Sequence, residues 1–394
     1  MPGQKKNILT VNGGSSSIKF ALYSIDDAPV PEFYGKIDRI GLAGSVLTAI
    51  DTQTNSKDRY PANAQDIREA ADFLVTWLEQ QKYFDSIAAI GHRVVHGMDH
   101  TGAELITQPL VNELQSISSY DPDHLPGEIE LIEVFRQRHP QLPQVACFDT
   151  SFHTTIPRVA QQLPIPRRFD NAGVKRYGFH GLSYSYIMEE LARIGEPAVN
   201  GRIIVAHLGS GASMAAIKDS KSVDTSMGFT PAGGLVMGTR PGDLDPGVAW
   251  YMIQKEAMTP QQFNDVINHQ SGLLGVSETS SDMEDLLKIE HTDIRAEEAV
   301  DLFCYQAKKW IGSFTAVLGG LDVLVFTGGI GENSPAVRKR IVDGLQFMGL
   351  EINDERNKKN ETIISIEGSR VMVYAIPTNE ELMIAKTTRS VLNL

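Results

Sequence analysis

The sequence predicts an α/β protein built from two related halves. The phrase ILTVNGGSSSIKFALY at residues 8–23 returns in similar form as IIVAHLGSGASMAAI at residues 203–217. Each copy is an apolar, β-branched run followed by a tight Gly/Ser turn and a second strand-like run, the pattern of a hairpin. One such turn is ordinary hairpin chemistry. Two copies indicate a duplicated fold whose turns face each other across a cleft and offer backbone N–H groups to phosphate.

Strand-like and helix-like segments alternate through the first half. Apolar residues at helical spacing predict a helix between Asn63 and Phe84, and SIAAIGHRVVHG then predicts a strand that enters a loop. Two helices follow near residues 109–118 and 127–138. The run QVACF predicts a strand at residues 144–148 that ends at Asp149, where open α/β sheets place ligand-binding groups.

The second half repeats this alternation. It predicts a helix after His180, the second hairpin beyond Gly201, helices near 246–257, 260–268 and 294–318, a strand in LDVLVFT, a helix with Ser334 and Pro335 at its N-cap and N1 positions, a last strand VMVYAI, and a final helix from Thr378. Neither a Pro-rich nor a Ser-rich linker separates the halves, so we expect two tightly joined lobes with a boundary near residue 150.

The bulk composition narrows the class of partner. The 394 residues include 36 Lys and Arg against 49 Asp and Glu, a net charge of −13, which argues against nucleic acid or a membrane as the partner. The N-terminal segment has too short an apolar stretch for a signal peptide, and no apolar run approaches the roughly 18 residues of a membrane span. Cys147 and Cys304 lie far apart in apolar surroundings, which favours buried thiols. We therefore expect a cytoplasmic protein.

Two arginines are candidates for anion binding. The sequence has neither a P-loop nor a protein-kinase catalytic loop, and its Gly-rich runs lack the dinucleotide-binding spacing. Arg93 in GHRVVHG and Arg240 in MGTRPGDLDPG lie beside glycines in what we interpret as short polar loops. Such a setting aims a guanidinium at an anion, although a solvated surface position is an alternative for either residue alone.

Six histidines occur in loops of the same kind: His92, His96, His124, His153, His180 and His207. Their spacing matches no zinc motif, so positioning and charge stabilisation around phosphate is the better interpretation. Near the C-terminus, Thr378 and Glu381 fit a capping box, which leaves Glu380 as the freer carboxylate and the better metal ligand.

These segments together resemble the acetate kinase family. The resemblance runs nearly end to end through VNGGSSSIKF, GHRVVHG, CFDTSFH, RYGFHGLSYSY, AHLGSGAS, DTSMGFTPAGGLVMGTRPGDLDP, QSGLLGVSETSSDM, FTGGIGENS and IPTNEELMIA. It implies a duplicated ribonuclease H-like, actin-like ATPase fold with two lobes around a central cleft. It also implies a homodimer and reversible, Mg²⁺- or Mn²⁺-dependent phosphoryl transfer between ATP and a short carboxylate.

The resemblance also implies the lobes and the site residues. We expect an N-terminal lobe at 1–148, completed by a C-terminal helix at about 381–394, and a nucleotide-binding lobe at 149–380. Metal binding is expected at Asn12 and Glu380, catalysis at Arg93, His124, Asp149, His180 and Arg240, and substrate binding at Arg93, Val95, Phe179 and Pro231. Nucleotide binding is expected at Lys19, His207, Leu208, Gly209, Ser210, Gly211, Asp282, Met283, Glu284, Gly329, Ile330, Gly331, Glu332 and Asn333.

This set of residues suits the chemistry of phosphoryl transfer. Both reactants are anions, and the transferring group spreads its charge over oxygens that Mg²⁺, two arginines and His180 can neutralise. A carboxylate acceptor is already ionised at neutral pH, since its reference pKa is about 4, and it attacks without a general base. We therefore interpret Asp149 as an organiser of metal or water rather than as a proton acceptor.

Four positions depart from the family pattern, Asp123, Ser210, Pro241 and Glu284, and two of them bear on the substrates. Asp123 replaces the leucine expected to contact the acyl chain, so the substrate is expected to be acetate or, alternatively, propionate, butyrate or a functionalised acid. Glu284 replaces a frequent arginine, which leaves the selectivity for the base open. The alternative outside enzymes is an actin-like or chaperone-like, nucleotide-gated interaction protein, which an acyl phosphate assay would separate from a kinase.

Overall fold

The computed structural model describes residues 6–14, 16–25 and 30–394. Residues 1–5 of the N-terminal segment and Ser15 of the first Gly/Ser turn lie outside this part. Contacts divide the chain into two units: the first is the chain up to Ser151 together with Asn379–Leu394, and the second is Phe152–Thr378. The boundary between the units therefore falls after Ser151, whereas the sequence places the start of the second lobe at Asp149.

The described residues of the first unit form one eight-stranded sheet in the order β5-β4-β3-β2-β1-β6-β8-β7. Its strands are β1 (Asn7–Gly13), β2 (Ile18–Ser24), β3 (Pro31–Asp38), β4 (Val46–Asp51), β5 (Lys57–Pro61), β6 (Ile87–Val94), β7 (Glu104–Leu105) and β8 (Gln144–Phe148). The strands from β1 to β5 pair antiparallel, whereas β1, β6 and β8 run parallel. The parallel pairs bring the carboxyl ends of three strands to one edge of the sheet.

Helices cover both faces of this sheet. They are α1 (Ile67–Glu79), α2 (Gln108–Ile117), α3 (Leu125–Arg138) and the last helix of the chain, α15 (Glu380–Leu392). Helix α1 begins where the Asp66 side chain accepts a hydrogen bond from the backbone N–H of Glu69. Its apolar stripe, which includes Leu74 and Trp77, is buried in a core cluster with Phe20 and Phe135.

The sheet of the second unit repeats the same strand arrangement. Its strands are β9 (Arg202–Leu208), β10 (Ala212–Lys218), β11 (Lys221–Thr225), β12 (Val323–Thr327) and β13 (Met372–Ala375). In the described residues their order is β11-β10-β9-β12-β13, with an antiparallel hairpin at β9 and β10 and parallel pairs at β9, β12 and β13. The order β3-β2-β1-β6-β8 in the first unit has the same pattern of directions. The predicted α/β fold, with its duplication, is thus confirmed.

Eleven helices belong to the described residues of the second unit. They are α4 (Arg158–Gln161), α5 (Arg167–Asn171), α6 (Gly181–Arg193), α7 (Pro246–Lys255), α8 (Pro260–His269), α9 (Gly272–Ser277), α10 (Met283–Ile289), α11 (Ile294–Leu318), α12 (Gly328–Asn333), α13 (Pro335–Val342) and α14 (Asp354–Lys358). The predicted helix after His180 and the predicted helix at 294–318 are confirmed as α6 and α11. Ser334 and Pro335 stand at the N-cap and N1 positions of α13, as predicted.

The start of the last helix and the setting of Arg93 were predicted wrongly, and one short helix was not predicted. The last helix begins at Glu380 instead of Thr378, and Asn379 caps it by accepting from the N–H of Leu382, so the capping box of Thr378 and Glu381 does not form. Arg93 lies within strand β6 instead of a polar loop, because the apolar pattern of the strand continues through Val94. The run GGIGEN forms the short helix α12, for which its glycines gave no signal.

The structure also bears on the cysteines and on membrane-spanning helices. Cys147 and Cys304 are both buried and are not joined to each other, as predicted. None of the helices in the described part of the chain is long and apolar enough to cross a membrane.

The packing of α15 on the first sheet depends on Gly91. A β-carbon at Gly91 would lie 2.2 Å from Oγ1 of Thr388 and 2.5 Å from Cγ2 of Ile384, both on α15. Gly91→Ala should therefore push α15 from the sheet and lower the free energy of unfolding by about 1–3 kcal/mol, measured by urea denaturation.

Gly102 offers a matched control, because a β-carbon there would meet no atom within 4 Å. Gly102→Ala should leave the urea midpoint close to that of the unchanged protein. Equal midpoints for the two variants would contradict the close approach at Gly91.

Candidate active site

An ion pair joins Arg93 and Asp149, two predicted site residues of the first unit. Strands β6 and β8 are parallel neighbours, and Asp149 follows β8 directly, with its N–H donating to the carbonyl of Val94 at 3.0 Å. Arg93 donates from Nε at 3.0 Å and from Nη2 at 2.6 Å to Oδ2 of Asp149, which is 0% exposed. Burial works to lower the pKa of Arg93, but the charges of Asp149 and Glu380 outweigh it and raise that pKa. Two predicted catalytic residues are thus in direct contact.

The predicted metal ligands also lie together. The amide Nδ2 of Asn12, on β1, donates to Oε2 of Glu380 at 3.2 Å and to Oε1 of Glu381 at 3.4 Å. Glu381 therefore contacts Asn12 instead of capping the helix, and the sequence missed it as part of this cluster. Two carboxylates and an amide at one position are hard oxygen donors of the kind that Mg²⁺ binds through one or two carboxylates, water and substrate phosphate. The chemistry of these three side chains fits Mg²⁺, and metal binding here stays a prediction.

Lys19 is held beside this cluster by the hairpin register. Asn12 and Lys19 are paired positions of β1 and β2, and the side chain of Lys19 belongs to an exposed residue. The first hairpin thus presents an amide and a cation at neighbouring positions. The cation is a candidate phosphate contact.

Glu128 is a residue that the sequence analysis missed. It lies in the first turn of α3, is 3% exposed, and accepts the N–H of Val95 at Oε2 over 3.0 Å. Its Oε1 is buried and has no hydrogen-bond partner within the described ranges. Burial raises the pKa of Glu128 to about 8, although the charge of Arg93 acts in the opposite direction. Val95, a predicted substrate contact, is therefore anchored by a largely neutral acid at pH 7.

His124 and Asp123 form the turn before α3. His124 is the N-cap residue of that helix, and its ring Nδ1 lies 2.9 Å from Oδ1 of Asp121. Asp123 is half-buried. The turn thus brings two carboxylates and an imidazole into the segment where the family resemblance predicts an acyl pocket.

In the second unit the predicted histidines stack on each other. The rings of His180 and His207 have centroids 4.2 Å apart and planes inclined by 23°. Hydroxyl groups fix both rings: Ser213 Oγ lies 2.8 Å from Nδ1 of His180, and Ser183 Oγ lies 2.8 Å from Nδ1 of His207. His180 itself has a φ of 61°, in the left-handed region. Each ring is held at Nδ1, so Nε2 is the nitrogen oriented away from its anchor.

Arg240 converges on the same place. A β-carbon on Gly211 would lie 2.9 Å from Nη2 of Arg240 and 3.3 Å from Nε2 of His180. Nη1 of Arg240 donates to the carbonyl of Pro231 at 2.6 Å, which ties this arginine to a predicted substrate contact. The space left by the missing side chain of Gly211 therefore has two donor groups beside it.

Phe179, the remaining predicted substrate contact, is buried just before His180. Its carbonyl oxygen lies 3.0 Å from Nε2 of His153. Nδ1 of His153 lies 2.9 Å from Ser222 Oγ, and burial lowers the pKa of His153 to about 4. His153 is thus a neutral packing residue. The prediction that it helps to position phosphate is wrong.

His92 also has a packing role. It is 2% exposed, and the centroid of its ring lies 5.7 Å from that of the Phe135 ring. Burial lowers the pKa of His92 to about 4. The sequence pattern grouped His92 with the site histidines because its neighbours resemble a loop, whereas His92 lies in strand β6.

A cavity of about 570 Å³ in the second unit collects most of the predicted nucleotide-binding residues. The predicted residues on its wall are Gly209, Ser210, Asp282, Met283, Glu284, Gly329, Ile330 and Asn333. The sequence missed Ser281, Leu287, Ser334, Pro335 and Ala336, which line it as well. Lys19 belongs to the first unit, and His207, Leu208, Gly211, Gly331 and Glu332 are absent from this wall. The volume suits a drug-sized ligand such as a nucleoside.

Asp282, on the wall of this cavity, caps helix α10. Its Oδ1 accepts the N–H groups of Glu284 at 2.7 Å and Asp285 at 3.4 Å, as the N-cap of α10. Glu284 pairs with Lys288 at 2.8 Å on the exposed side of that helix. The second oxygen of Asp282 is therefore the one suited to a ribose hydroxyl.

Arg338 supports helix α12, which carries predicted nucleotide-binding residues, and the sequence did not single it out. It is 0% exposed, and Nη1 donates to the carbonyls of Gly331 and Glu332, each at 2.8 Å, near the C-terminal end of α12. Its other N–H groups donate to Asn357 and Asn360. Burial lowers the pKa of Arg338 to about 10. The guanidinium thus satisfies carbonyls that a helix end leaves unpaired.

Glu332 holds the other end of the same helix. Its Oε1 accepts the N–H of Gly328 at 3.0 Å and that of Thr378 at 2.9 Å. Glu332 is therefore a residue that shapes the site instead of lining the cavity, and a ligand contact from its side chain stays a prediction.

Comparisons with known proteins agree with this arrangement. A family model described as the Acetokinase family matches residues 7–386. The chain is 40% identical over 392 residues to an acetate kinase of Oceanobacillus iheyensis, covering 97% of this chain and 98% of that protein. It is 42% identical over 393 residues to an acetate kinase of Thermoanaerobacter pseudethanolicus, with the same coverage.

Solved structures of this family have the same fold. A propionate kinase from Francisella tularensis superposes with a TM-score of 0.91 at 35% identity, over 98% of this chain and 100% of that chain. An acetate kinase from Porphyromonas gingivalis superposes with a TM-score of 0.87 at 34% identity and the same coverage. The expected actin-like ATPase fold and the resemblance found in the sequence are both confirmed.

The protonated state of Glu128 should appear in the pH dependence of stability. Its pKa is about 8 in the folded protein against an ordinary 4.5, so the stabilisation by its proton is complete below pH 4.5 and is lost as the pH rises to about 8. Glu128→Gln, which stays neutral, should therefore lose less unfolding free energy between pH 5 and pH 8 than the unchanged protein does. Urea denaturation at several pH values measures this.

Glu130→Gln is the control, because Glu130 lies on the same helix with 40% of its side chain exposed. It should show the same decline as the unchanged protein. If the free energy of unfolding of Glu128→Gln falls with pH as steeply as that of the unchanged protein, Glu128 is ionised across this range. Its assignment as a neutral acid is then wrong.

Proposed function

We propose that this chain, which belongs to the acetokinase family and is a carboxylate-accepting phosphotransferase, transfers the γ-phosphoryl group of ATP to acetate. The products are acetyl phosphate and ADP, and the reaction is reversible. The observation that carries the proposal is the approach of Arg240 and His180 to the bare backbone of Gly211. A guanidinium and an imidazole beside a glycine offer room and positive charge for a phosphoryl group.

Two arginines can neutralise the negative charge of the reacting groups. The transferring phosphoryl group carries its charge on oxygens that remain exposed to donors throughout the transfer. Arg240 is held by the carbonyl of Pro231 and Arg93 by the carboxylate of Asp149, so neither guanidinium has to be ordered at the moment of reaction. We assign Arg240 to the phosphoryl group and Arg93 to the acceptor carboxylate.

Asp149 has no proton to remove from the acceptor, since a carboxylate nucleophile is ionised at neutral pH. Its Oδ2 orients Arg93 through two N–H groups. We propose that Asp149 orients Arg93 and, through water, helps to organise the cation at Asn12, Glu380 and Glu381. Bound Mg²⁺ would supply charge neutralisation to the phosphate oxygens.

Asp123 favours a second candidate substrate. Val95 and Phe179 are buried apolar residues, which suits the methyl group of acetate. Asp123 is half-buried in the turn that begins the acyl-binding segment, and a carboxylate there suits a donor group on the substrate. A hydroxylated or aminated short acid is therefore the alternative to acetate. The solved propionate kinase supports a longer chain as a third possibility.

For the nucleotide, we propose that ATP binds in the cavity between α10 and α12. Gly209 and Gly329 leave the backbone open there, and Asp282 lies at the N-terminus of α10. A homodimer and a cytoplasmic location, both implied by the resemblance, stay predictions.

Trapping of acyl phosphate with hydroxylamine tests the reaction and names the acid. We expect ATP-dependent hydroxamate with acetate, and the panel should include propionate, butyrate, glycolate and glycine. A marked preference for glycolate or glycine over acetate would establish the second candidate. No hydroxamate from any acid would contradict the proposed function.

Asp149→Asn tests the role of the ion pair. The amide is isosteric but uncharged, so Arg93 loses its partner, and kcat should fall by roughly 100-fold. The Mg²⁺ concentration for half-maximal rate should rise as well. Steady-state kinetics with Mg²⁺ titration measures both quantities.

Asp322→Asn serves as the control, because Asp322 pairs with Arg202 at 2.6 Å on the surface of the second unit. It should change neither quantity appreciably. An Asp149→Asn variant with an unchanged Mg²⁺ requirement would count against a role of Asp149 in organising the cation.

A further inference from the structure

Asp121 is a buried carboxylate with one close side-chain partner. It is 3% exposed, and its Oδ1 lies 2.9 Å from Nδ1 of His124. Its Oδ2 is also buried and has no hydrogen-bond partner in residues 6–14, 16–25 and 30–394. A buried carboxylate is costly unless a donor or a positive charge compensates it. The imidazole of His124 is the group in place to do this.

This contact decides which nitrogen of His124 carries a proton. A carboxylate oxygen only accepts hydrogen bonds, so Nδ1 must be the donor. Nε2 is then the nitrogen available to a ligand, in the neutral ring as an acceptor and in the charged ring as a donor. The ring of His124 keeps 20% of its side-chain surface exposed, which leaves room for such a contact.

The backbone holds both residues rigidly. The carbonyl of Asp121 accepts the N–H of His124 at 3.4 Å and the N–H of Leu125 at 3.1 Å. Leu125 is 0% exposed in a core cluster with Val94 and Phe148. The carbonyl of His124 in turn accepts the N–H of Glu128 at 3.1 Å. The pair is therefore fixed to the start of α3 and to the sheet that carries Arg93.

We propose that Asp121 is a positioning residue that fixes the tautomer and ring orientation of His124 and so presents Nε2 to the acyl phosphate. The inference rests on the proposed function, because His124 has a ligand to contact only if the carboxylate and phosphoryl group bind beside Arg93. Carboxylates that orient an imidazole in this way are effective because they remove the wrong tautomer and the wrong rotamers in one interaction.

A double-mutant cycle tests the inference. Asp121→Asn keeps the shape but can turn its amide N–H towards Nδ1, which favours the other tautomer. We expect kcat/KM for the carboxylate to fall by roughly 10–100-fold, with KM for ATP within twofold. In a His124→Ala background the same substitution should have almost no further effect, because it acts through the ring. Asp121→Glu should recover part of the loss.

Glu104→Gln is the matched control, because Glu104 contacts Nδ1 of His100 at 2.8 Å but is 48% exposed. It should leave the kinetics unchanged. If Asp121→Asn slows the His124→Ala enzyme as much as it slows the unchanged enzyme, Asp121 acts on the fold and the inference is overturned. Thermal unfolding of each variant shows whether folding is affected.

Nitrogen NMR of protein labelled at histidine gives a readout that is independent of activity. The resonances of His124, identified by their loss in His124→Gln, should show a protonated Nδ1 in the unchanged protein and the other tautomer in Asp121→Asn. A protonated Nε2 with a bare Nδ1 in the unchanged protein would overturn the inference. Failure of the proposed function appears separately, as the absence of hydroxamate with every acid in the panel.

Discussion

The packing of the C-terminal helix against the first sheet fixes much of the site in that unit. Asn12 and Glu380 are 368 residues apart in the chain, and their contact exists only because α15 lies on β1, β6 and β8. Gly91 allows this approach, since any side chain there would collide with Thr388 and Ile384. Ile384 also contributes its carbonyl to a contact with the thiol of Cys147 at 3.9 Å. The placement of the predicted cation ligands therefore depends on a close contact between a helix and a glycine in a strand.

Buried acids lie beside three residues that are predicted to bind or act on the substrate, and each acid holds one of them. Asp149 holds Arg93, Glu128 holds the N–H of Val95, and Asp121 holds the ring of His124. Such groups are expensive to bury, and they are retained where they orient something. The protein thus orders its binding groups before the substrate arrives, which lowers the cost of ordering them during the reaction. The cost of burying these acids is offset in three ways: Asp149 pairs with Arg93, Asp121 contacts His124, and the raised pKa of Glu128 keeps that acid largely protonated at pH 7.

The second unit achieves the same order mainly with neutral partners. Hydroxyl groups of Ser183 and Ser213 hold His207 and His180, and the carbonyl of Pro231 holds Arg240. Below the cavity, Arg338 uses carbonyl and amide oxygens instead of a carboxylate partner. The two units therefore prepare for their ligands by different means on one strand arrangement.

The sequence by itself determined the duplicated strand order, most helices and the family, because hairpins, caps and helical periodicity depend on residues close together in the chain. It also singled out Arg93, Asp149, His180 and Arg240 as candidate site residues, and their roles stay predictions. Only the tertiary structure decided that Glu381 joins Asn12, that Glu128 and Asp121 support Val95 and His124, that Arg338 supports α12, and that His92 and His153 are packing residues. The contact between Asn12 and Glu381 joins residues 369 positions apart, and the contact between Arg338 and Asn357 joins two different helices. Burial in the folded chain raises the pKa of Glu128, and no local sequence pattern records that burial.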